Sequence, residues 1–236
     1  MPPPSRPTAP PGPVAAVYDR RREALVAELR QRGIADVRVL DAIGRVERHR
    51  FIPDSALLPR AYHDEALPIG LGQTISQPFT VAYQTTLLDV RPGDRILEVG
   101  TGSGYQAAVL ATLGAEVWSI ERHAGLAERT TPLLERLGYR VRTRVGDGTQ
   151  GWEEAAPFDG IVVTAGGVEV PPALLRQLRV PETRADGTVV RRGGVLVIPI
   201  GGAGGQTMQR LVRTSEQRVE MEEVGQFRFV PLVAGA

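Results

Sequence analysis

The chain has 236 residues, 42% of them hydrophobic and 23% charged, enough for a buried core of ordinary size. Its 28 basic and 27 acidic residues nearly cancel, so the total charge offers no electrostatic footprint for nucleic acid, and no apolar run approaches the roughly eighteen residues of a membrane span. Cysteine and lysine are both absent, which excludes disulfides, thiolate metal sites, cysteine nucleophiles and Schiff-base chemistry.

The first thirteen residues contain seven prolines and no apolar h-region. Residues 1–14 are therefore expected to be a disordered tail rather than a signal peptide, ahead of a single cytoplasmic domain over 15–236. In V-Y-D-R-R-R-E-A-L-V-A-E-L-R-Q-R (17–32), Val17, Leu25, Val26 and Leu29 recur at helical spacing, and Gly33 stands where the helix would end. A second short helix is expected from Val37 to Val46. The segment from Arg50 to Gly72 is rich in Pro and Gly and reads as irregular. Ser76-Gln77-Pro78 reads as a helix start, with a capping hydroxyl and proline in the first turn. That helix should stop near Asp89, ahead of Arg91-Pro92-Gly93.

From Arg95 onward strands and helices alternate. R-I-L-E-V (95–99) is a strand, followed by a glycine loop and a helix over about 104–113. E-V-W-S-I is the second strand, with a helix over about 124–137 behind it. V-R-T-R-V and F-D-G-I-V-V-T are strands, P-P-A-L-L-R-Q-L a helix, and G-V-L-V-I-P-I a strand. M-Q-R-L-V-R-T and V-G-Q-F-R-F-V-P-L are expected to close the fold as an antiparallel pair. Residues 181–190 read as a surface excursion. This pattern predicts an α/β fold: a Rossmann-like αβα sandwich, its central sheet mostly parallel, with an antiparallel C-terminal strand pair and N-terminal helices. Residues 15–78 would form a helical and loop region and 79–236 the nucleotide-binding core.

The stretch E-V-G-T-G-S-G-Y (98–105) follows a strand and opens a helix, at the sheet edge where α/β folds bind nucleotides. Two cofactors compete for it. Gly102, Gly104 and Ala107 satisfy a dinucleotide fingerprint, with Glu121 placed for a ribose, so an NAD-dependent oxidoreductase stays open. Against it, Glu98 would set a carboxylate beside a pyrophosphate, where donors are wanted. S-adenosylmethionine reverses that logic, because it carries a cationic sulfur and an ammonium but no phosphate. Glu121 ends the second strand and could accept from both ribose hydroxyls. Asp147, in V-G-D-G-T, ends the third and could accept from an adenine amino group. Glu98, Glu121 and Asp147 thus fall at three successive strand ends, and E-x-G-x-G-x-G followed by these acids resembles the class I S-adenosylmethionine-dependent methyltransferases.

The methyl acceptor must be read elsewhere. Val162-Val163-Thr164-Ala165-Gly166-Gly167 carries no N-P-P-Y-like signature and no histidine or carboxylate to serve as a base. Such a neutral site suits an acceptor that is already a nucleophile, as a carboxylate with a pKa of about 3.5 is at neutral pH. His63-Asp64 does not make a hydrolase triad, since no G-x-S-x-G elbow exists. His49, His63 and His123 lack metal-ligand spacing and read as surface or packing residues, and no metal is expected.

V-E-R-H-R-F-I-P (46–53), A-Y-H-D-E-A-L-P-I-G-L-G-Q-T-I-S-Q-P (61–78), L-E-V-G-T-G-S-G-Y, V-G-D-G, F-D-G-I-V-V-T-A, L-V-I-P-I-G and F-R-F-V-P-L together resemble the protein-L-isoaspartate O-methyltransferases over residues 20–233. The resemblance implies transfer of a methyl from S-adenosylmethionine to the α-carboxylate of L-isoaspartyl residues in damaged proteins. The ester would then close to a succinimide and reopen in part to normal aspartate. It makes Ser76 the active-site serine, orienting the substrate carboxylate, with Thr74 and Val230 also at the substrate. It places Gln73, Thr74, Ile75, Ser76, Gly100, Thr101, Gly102, Arg122 and Gly148 at the cofactor, beside Glu98, Glu121 and Asp147. A capping role for Ser76 alone remains the plainer alternative, as does a non-catalytic binding module for the whole chain. The expected partners are isoaspartyl proteins and peptides, with no nucleic acid and no membrane, for an enzyme expected to be a monomer. The 181–190 excursion, the A-G-G loop at 165–167 and the proline tail depart from the family pattern.

Overall fold

The computed structural model of the protein describes residues 13–202 and 204–235. Helix α1 (Pro13–Gln31) begins inside the stretch expected to be tail, while residues 1–12 lie outside the described residues. Helix α2 (Val37–Arg45) is capped by Asp36, whose carboxylate accepts from the Arg38 N–H. Two 3₁₀ turns, Arg48–Phe51 and Ser55–Arg60, lead to a hairpin of β1 (Leu67–Gly70) and β2 (Gln73–Ile75). The expectation of irregular chain to Gly72 is corrected here. Leu67, Ile69 and Ile75 bury on one side of the hairpin while Pro68 faces out. Leu71 (φ 53°) and Gly72 (φ 69°) make the doubly left-handed turn that suits a two-residue hairpin.

Helix α3 (Pro78–Leu88) starts at the expected proline, but Ser76 does not cap it. The Phe79 N–H donates instead to Asp64 Oδ1 at 2.7 Å, and Asp64 Oδ2 accepts from the Gln77 amide at 2.9 Å. A carboxylate from thirteen to fifteen residues upstream thus takes over the capping task, and among the described residues the Ser76 hydroxyl makes no hydrogen bond.

The alternating part follows as β3 (Arg95–Val99), α4 (Tyr105–Thr112), β4 (Glu116–Glu121), α5 (Ala124–Arg136), β5 (Val141–Val145), β6 (Gly160–Val163) and α6 (Pro172–Arg176). The excursion is a small hairpin of β7 (Glu182–Thr183) and β8 (Val189–Arg191). Arg191 ties it to Asp159 at 3.2 Å, and the adjacent Arg192 reaches Asp89 and Asp94 at 2.6 Å each. Strands β9 (Val195–Gly202), β10 (Gly205–Arg213) and β11 (Val219–Phe227) complete a seven-stranded sheet in the order β11-β10-β9-β6-β3-β4-β5. The five strands from β9 to β5 are parallel, and β10 runs antiparallel to both neighbours.

The parallel strands at the centre are buried on both faces, which is why they read as nearly continuous apolar runs. On β3, Ile96 joins a core shared with α1 to α5, whereas Leu97 and Val99 join a second core with α6 on the other face. The last strand lies earlier than expected. Its first half, V-E-M-E-E, is a solvent-facing edge with no apolar period to reveal it. Phe229 to Leu232, expected within the strand, leave the sheet and run beside Gly166. The Gly166 N–H donates to Val230 O, and the Leu232 N–H to Gly166 O, both at 2.8 Å.

Candidate active site

After β5 the chain crosses back to place β6 on the opposite side of β3. This reversal opens a crevice at the carboxyl ends of β3 and β6, the position where open α/β sheets take ligands. The two strand ends are locked together there: Thr164 Oγ1 donates to Gly100 O at 2.8 Å. Gly100 has φ 98°, and a Cβ on it would run into that same hydroxyl, so both conformation and space demand glycine.

A cavity of about 240 Å³ fills the crevice. The hairpin and its exit contribute Gln73, Thr74, Ile75 and Ser76; the glycine loop contributes Gly100, Thr101 and Gly102. Glu98, Glu121, Arg122, Gly148 and Val230 complete the set expected from sequence. Asp147 is the exception. Its Oδ1 accepts from the Thr149 N–H and hydroxyl at 2.8 and 2.7 Å, its Oδ2 accepts from the Gly235 N–H at 2.8 Å, and it does not line the cavity. Burial pushes its carboxyl up, but these hydrogen bonds and Arg122 outweigh that and hold it below the ordinary value.

The two remaining acids differ sharply. Glu121 accepts from the Gly102 N–H at 2.8 Å and the His123 N–H at 2.9 Å, so it shapes the glycine loop as well as facing the cavity. Glu98 is fully buried; Ser119 donates to its Oε2, and its Oε1 has no hydrogen-bond partner among the described residues. Burial drives its pKa up to about 8, against the Ser119 hydrogen bond and with the nearby charge of Glu121 adding to the rise. An orphaned carboxylate oxygen in a cavity wall is a costly feature unless a donor or a cation meets it.

The glycine loop gives the complementary result. Its Gly100 and Thr101 N–H groups both donate to Ile120 O, and the Gly102 N–H is held by Glu121. Those donors are already spent within the protein, leaving no phosphate cradle of the dinucleotide kind. An unmet acid and a loop whose Gly100, Thr101 and Gly102 N–H groups are already engaged fit a cationic, phosphate-free cofactor such as S-adenosylmethionine.

A second cleft, of about 660 Å³, adjoins the first and shares Thr74, Ser76, Thr164 and Val230 with it. Phe79, Phe227 and Phe229 give it apolar walls, and Arg32 and Arg228 sit on its lining, with no acidic side chain. Several residues here escaped sequence reasoning. Thr164 stands at a strand end, where the carboxyl-edge rule could have found it; His123, expected to be a surface or packing residue, lines the cavity. Tyr105 and Gln106 were hidden inside the helix that follows the loop. Pro231, Leu232 and Val233 carry no local signal, because only the long-range pairing with Gly166 brings them in. His49 does pack as expected, stacked on Tyr18 with ring centroids 4.1 Å apart. Among the described residues no cluster of His, Asp and Glu could hold a metal.

Sheet order, acids at strand ends and a cavity walled by an unmet buried acid define a class I S-adenosylmethionine-dependent methyltransferase. The family model for "Protein-L-isoaspartate(D-aspartate) O-methyltransferase (PCMT)" matches residues 20–236, and the chain belongs to that family. A protein-L-isoaspartate O-methyltransferase of Salinibacter ruber is 63% identical over 92% of this chain and 93% of its own length. Among solved structures, a protein-L-isoaspartate O-methyltransferase superposes with a TM-score of 0.77 at 28% identity, over 89% of this chain and 65% of that longer one. A Plasmodium falciparum relative in complex with S-adenosyl-L-homocysteine, titled a putative enzyme of the same kind, gives 0.73 at 25% identity over 90% and 98%. The chain is thus a protein-repair methyltransferase: it moves a methyl from S-adenosylmethionine to L-isoaspartyl residues of damaged proteins. The oxidoreductase alternative and the non-catalytic module fall with this assignment.

Proposed function

We propose that the two cavities divide the reaction between them and meet at Ser76. The carrying observation is the shared wall of Thr74, Ser76, Thr164 and Val230, which both the cofactor cavity and the aromatic cleft present. S-adenosylmethionine supplies an electrophilic methyl on a cationic sulfur. Glu98 favours that positive charge through its unmet oxygen, and Glu121 offers its remaining lone pairs to ribose hydroxyls. Asp147 supports the site from outside the lining, by shaping the turn that presents Gly148 and by tethering the C-terminal segment.

The isoaspartyl peptide enters the aromatic cleft, and its carboxylate reaches the Ser76 hydroxyl. That hydroxyl, free of hydrogen bonds among the described residues, donates to the substrate oxygen; it is not a nucleophile. No base is required, because the acceptor carboxylate is already ionised at neutral pH. What the chain contributes is alignment of oxygen and methyl carbon, together with exclusion of water. The half-buried Val230 lies on the wall that the two cavities share, where an extended peptide can run beside it.

We take the enzyme to act as a monomer. No described helix is long and apolar enough to cross a membrane, and we place the enzyme in the cytoplasm. The test is transfer from labelled S-adenosylmethionine to an isoaspartyl peptide, with the normal aspartyl peptide as control. Label only on the former is expected; equal labelling would identify a general carboxyl methyltransferase. Light scattering of the eluted enzyme should return the mass of one chain.

A further inference from the structure

Among the described residues Arg48 is the largest fully buried side chain, and all three of its hydrogen bonds go to backbone carbonyls, none to a carboxylate. The nearest candidate acid, Glu65, turns its carboxylate to Arg60 at 2.8 Å and offers Arg48 only its backbone carbonyl. Taking a charge out of water without a counter-charge is expensive, and an apolar side chain of similar volume is often the more stable choice. Burial also pulls the guanidinium down to about 10, against Tyr105, Tyr62 and Glu65, which still leaves it charged at neutral pH. The fold therefore retains this cation for something other than packing.

Its contacts show what it holds. Nε donates to Ala61 O at 2.9 Å, Nη2 to Glu65 O at 3.0 Å and Nη1 to Ser76 O at 2.9 Å. These carbonyls belong to two connecting segments, 61–66 and 76–77, outside any strand or helix, so no ladder satisfies them. The guanidinium also lies over the Tyr105 ring, 5.1 Å from its centroid. Tyr105 opens α4 directly after the glycine loop and lines the cofactor cavity. One planar fork thus joins the backbone of Ser76 to the helix that carries the cofactor loop. Lysine cannot reproduce this, because its ammonium is a point donor without the fixed directions of a guanidinium.

We propose that Arg48 is a positioning residue for methyl transfer, setting the Ser76 loop in register with the cofactor loop. This rests on the reading of Ser76 given above. A displacement of about 1 Å in such a loop can cost on the order of a hundredfold in rate while leaving a remote binding site intact. The experiment compares wild type, Arg48→Met and Arg48→Lys for kcat and KM on an isoaspartyl peptide. Calorimetry with S-adenosyl-L-homocysteine supplies the cofactor Kd.

In Arg48→Met, kcat should fall by about 10- to 100-fold while the cofactor Kd stays within about threefold, a split that general loosening would not produce. Arg48→Lys should fall between the two. The proposal is overturned if kcat in Arg48→Met stays within about twofold of wild type, or if kcat and cofactor affinity decline together. It is equally overturned if neither variant folds well enough to bind cofactor, for then Arg48 serves the fold alone. Wild type is assayed first: failure to label the isoaspartyl peptide would reject the functional reading instead, and so is distinguishable.

Discussion

Replacing Glu98 by Gln should flatten the pH dependence of stability and weaken cofactor binding in the same variant. The buried carboxyl sits at about 8 instead of its ordinary 4.5. At 1.36 kcal/mol per pH unit this separates the two protonation states by roughly 5 kcal/mol, an upper bound that relaxation and water entry reduce to a few kcal/mol. Because the folded-state pKa is the raised one, the native chain keeps a proton that the unfolded chain has already released. The contribution is therefore complete below about 4.5 and disappears as pH rises through about 8. For a chain of this size 1 kcal/mol is worth about 2–4 °C in Tm. Wild type should accordingly lose roughly 5–10 °C more than Glu98→Gln between pH 5 and pH 8, measured by calorimetry without cofactor.

Other titrating groups are common to both proteins and cancel in the difference. Binding of S-adenosyl-L-homocysteine, which keeps the ammonium, should expel part of the Glu98 proton at pH 7. Titrations in two buffers of unequal ionisation enthalpy would count it, and Glu98→Gln should release none. Parallel Tm curves together with equal proton release would refute the assignment of Glu98 as the partner of a cation.

Ser76→Ala should lower kcat about tenfold or more with cofactor Kd nearly unchanged, whereas Glu121→Ala should raise cofactor Kd and also loosen the loop that it pins at Gly102; steady-state kinetics with calorimetry separates the two, and full turnover in Ser76→Ala would end its role. Gly100→Ala forces a Cβ onto the Thr164 hydroxyl at a left-handed φ and should cost on the order of 2–4 kcal/mol in a denaturant titration. In the aromatic cleft Arg32 is paired with Asp64, while Arg228 makes no ion pair among the described residues. Isoaspartyl peptides with a neighbouring Glu should therefore show a lower KM than those with Lys at low salt, and Arg228→Glu should reverse the order. Of the Asp-Gly steps at 147–148, 159–160 and 186–187, the last lies exposed in the β7–β8 turn, while Asp159 is held by Arg179 at 2.5 Å and by Arg191. Peptide mapping of aged enzyme should find isoaspartate first at Asp186.

Much of this molecule was legible before any coordinates. The βα alternation from Arg95, the glycine loop and the order of Glu98, Glu121 and Asp147 all depend on short-range patterns. Period, glycine spacing and strand ends are properties of neighbouring residues, so the chain alone determined the parallel sheet, the edge where the cavity lies and the acids at its strand ends. What neighbours cannot encode came from distant segments meeting. Asp64 capping α3 removed Ser76 from that task and left its hydroxyl free. Gly235 and Thr149 claimed the carboxylate of Asp147, and the pairing of Val230 with Gly166 carried the C-terminal segment into the cavity wall. The hairpin at 67–75 was masked by Pro68, Gly70 and Gly72, and Arg48 read as one arginine among 28. A side chain's function in these places depends on which backbone groups lack partners once the chain has collapsed, and only the tertiary structure decides that.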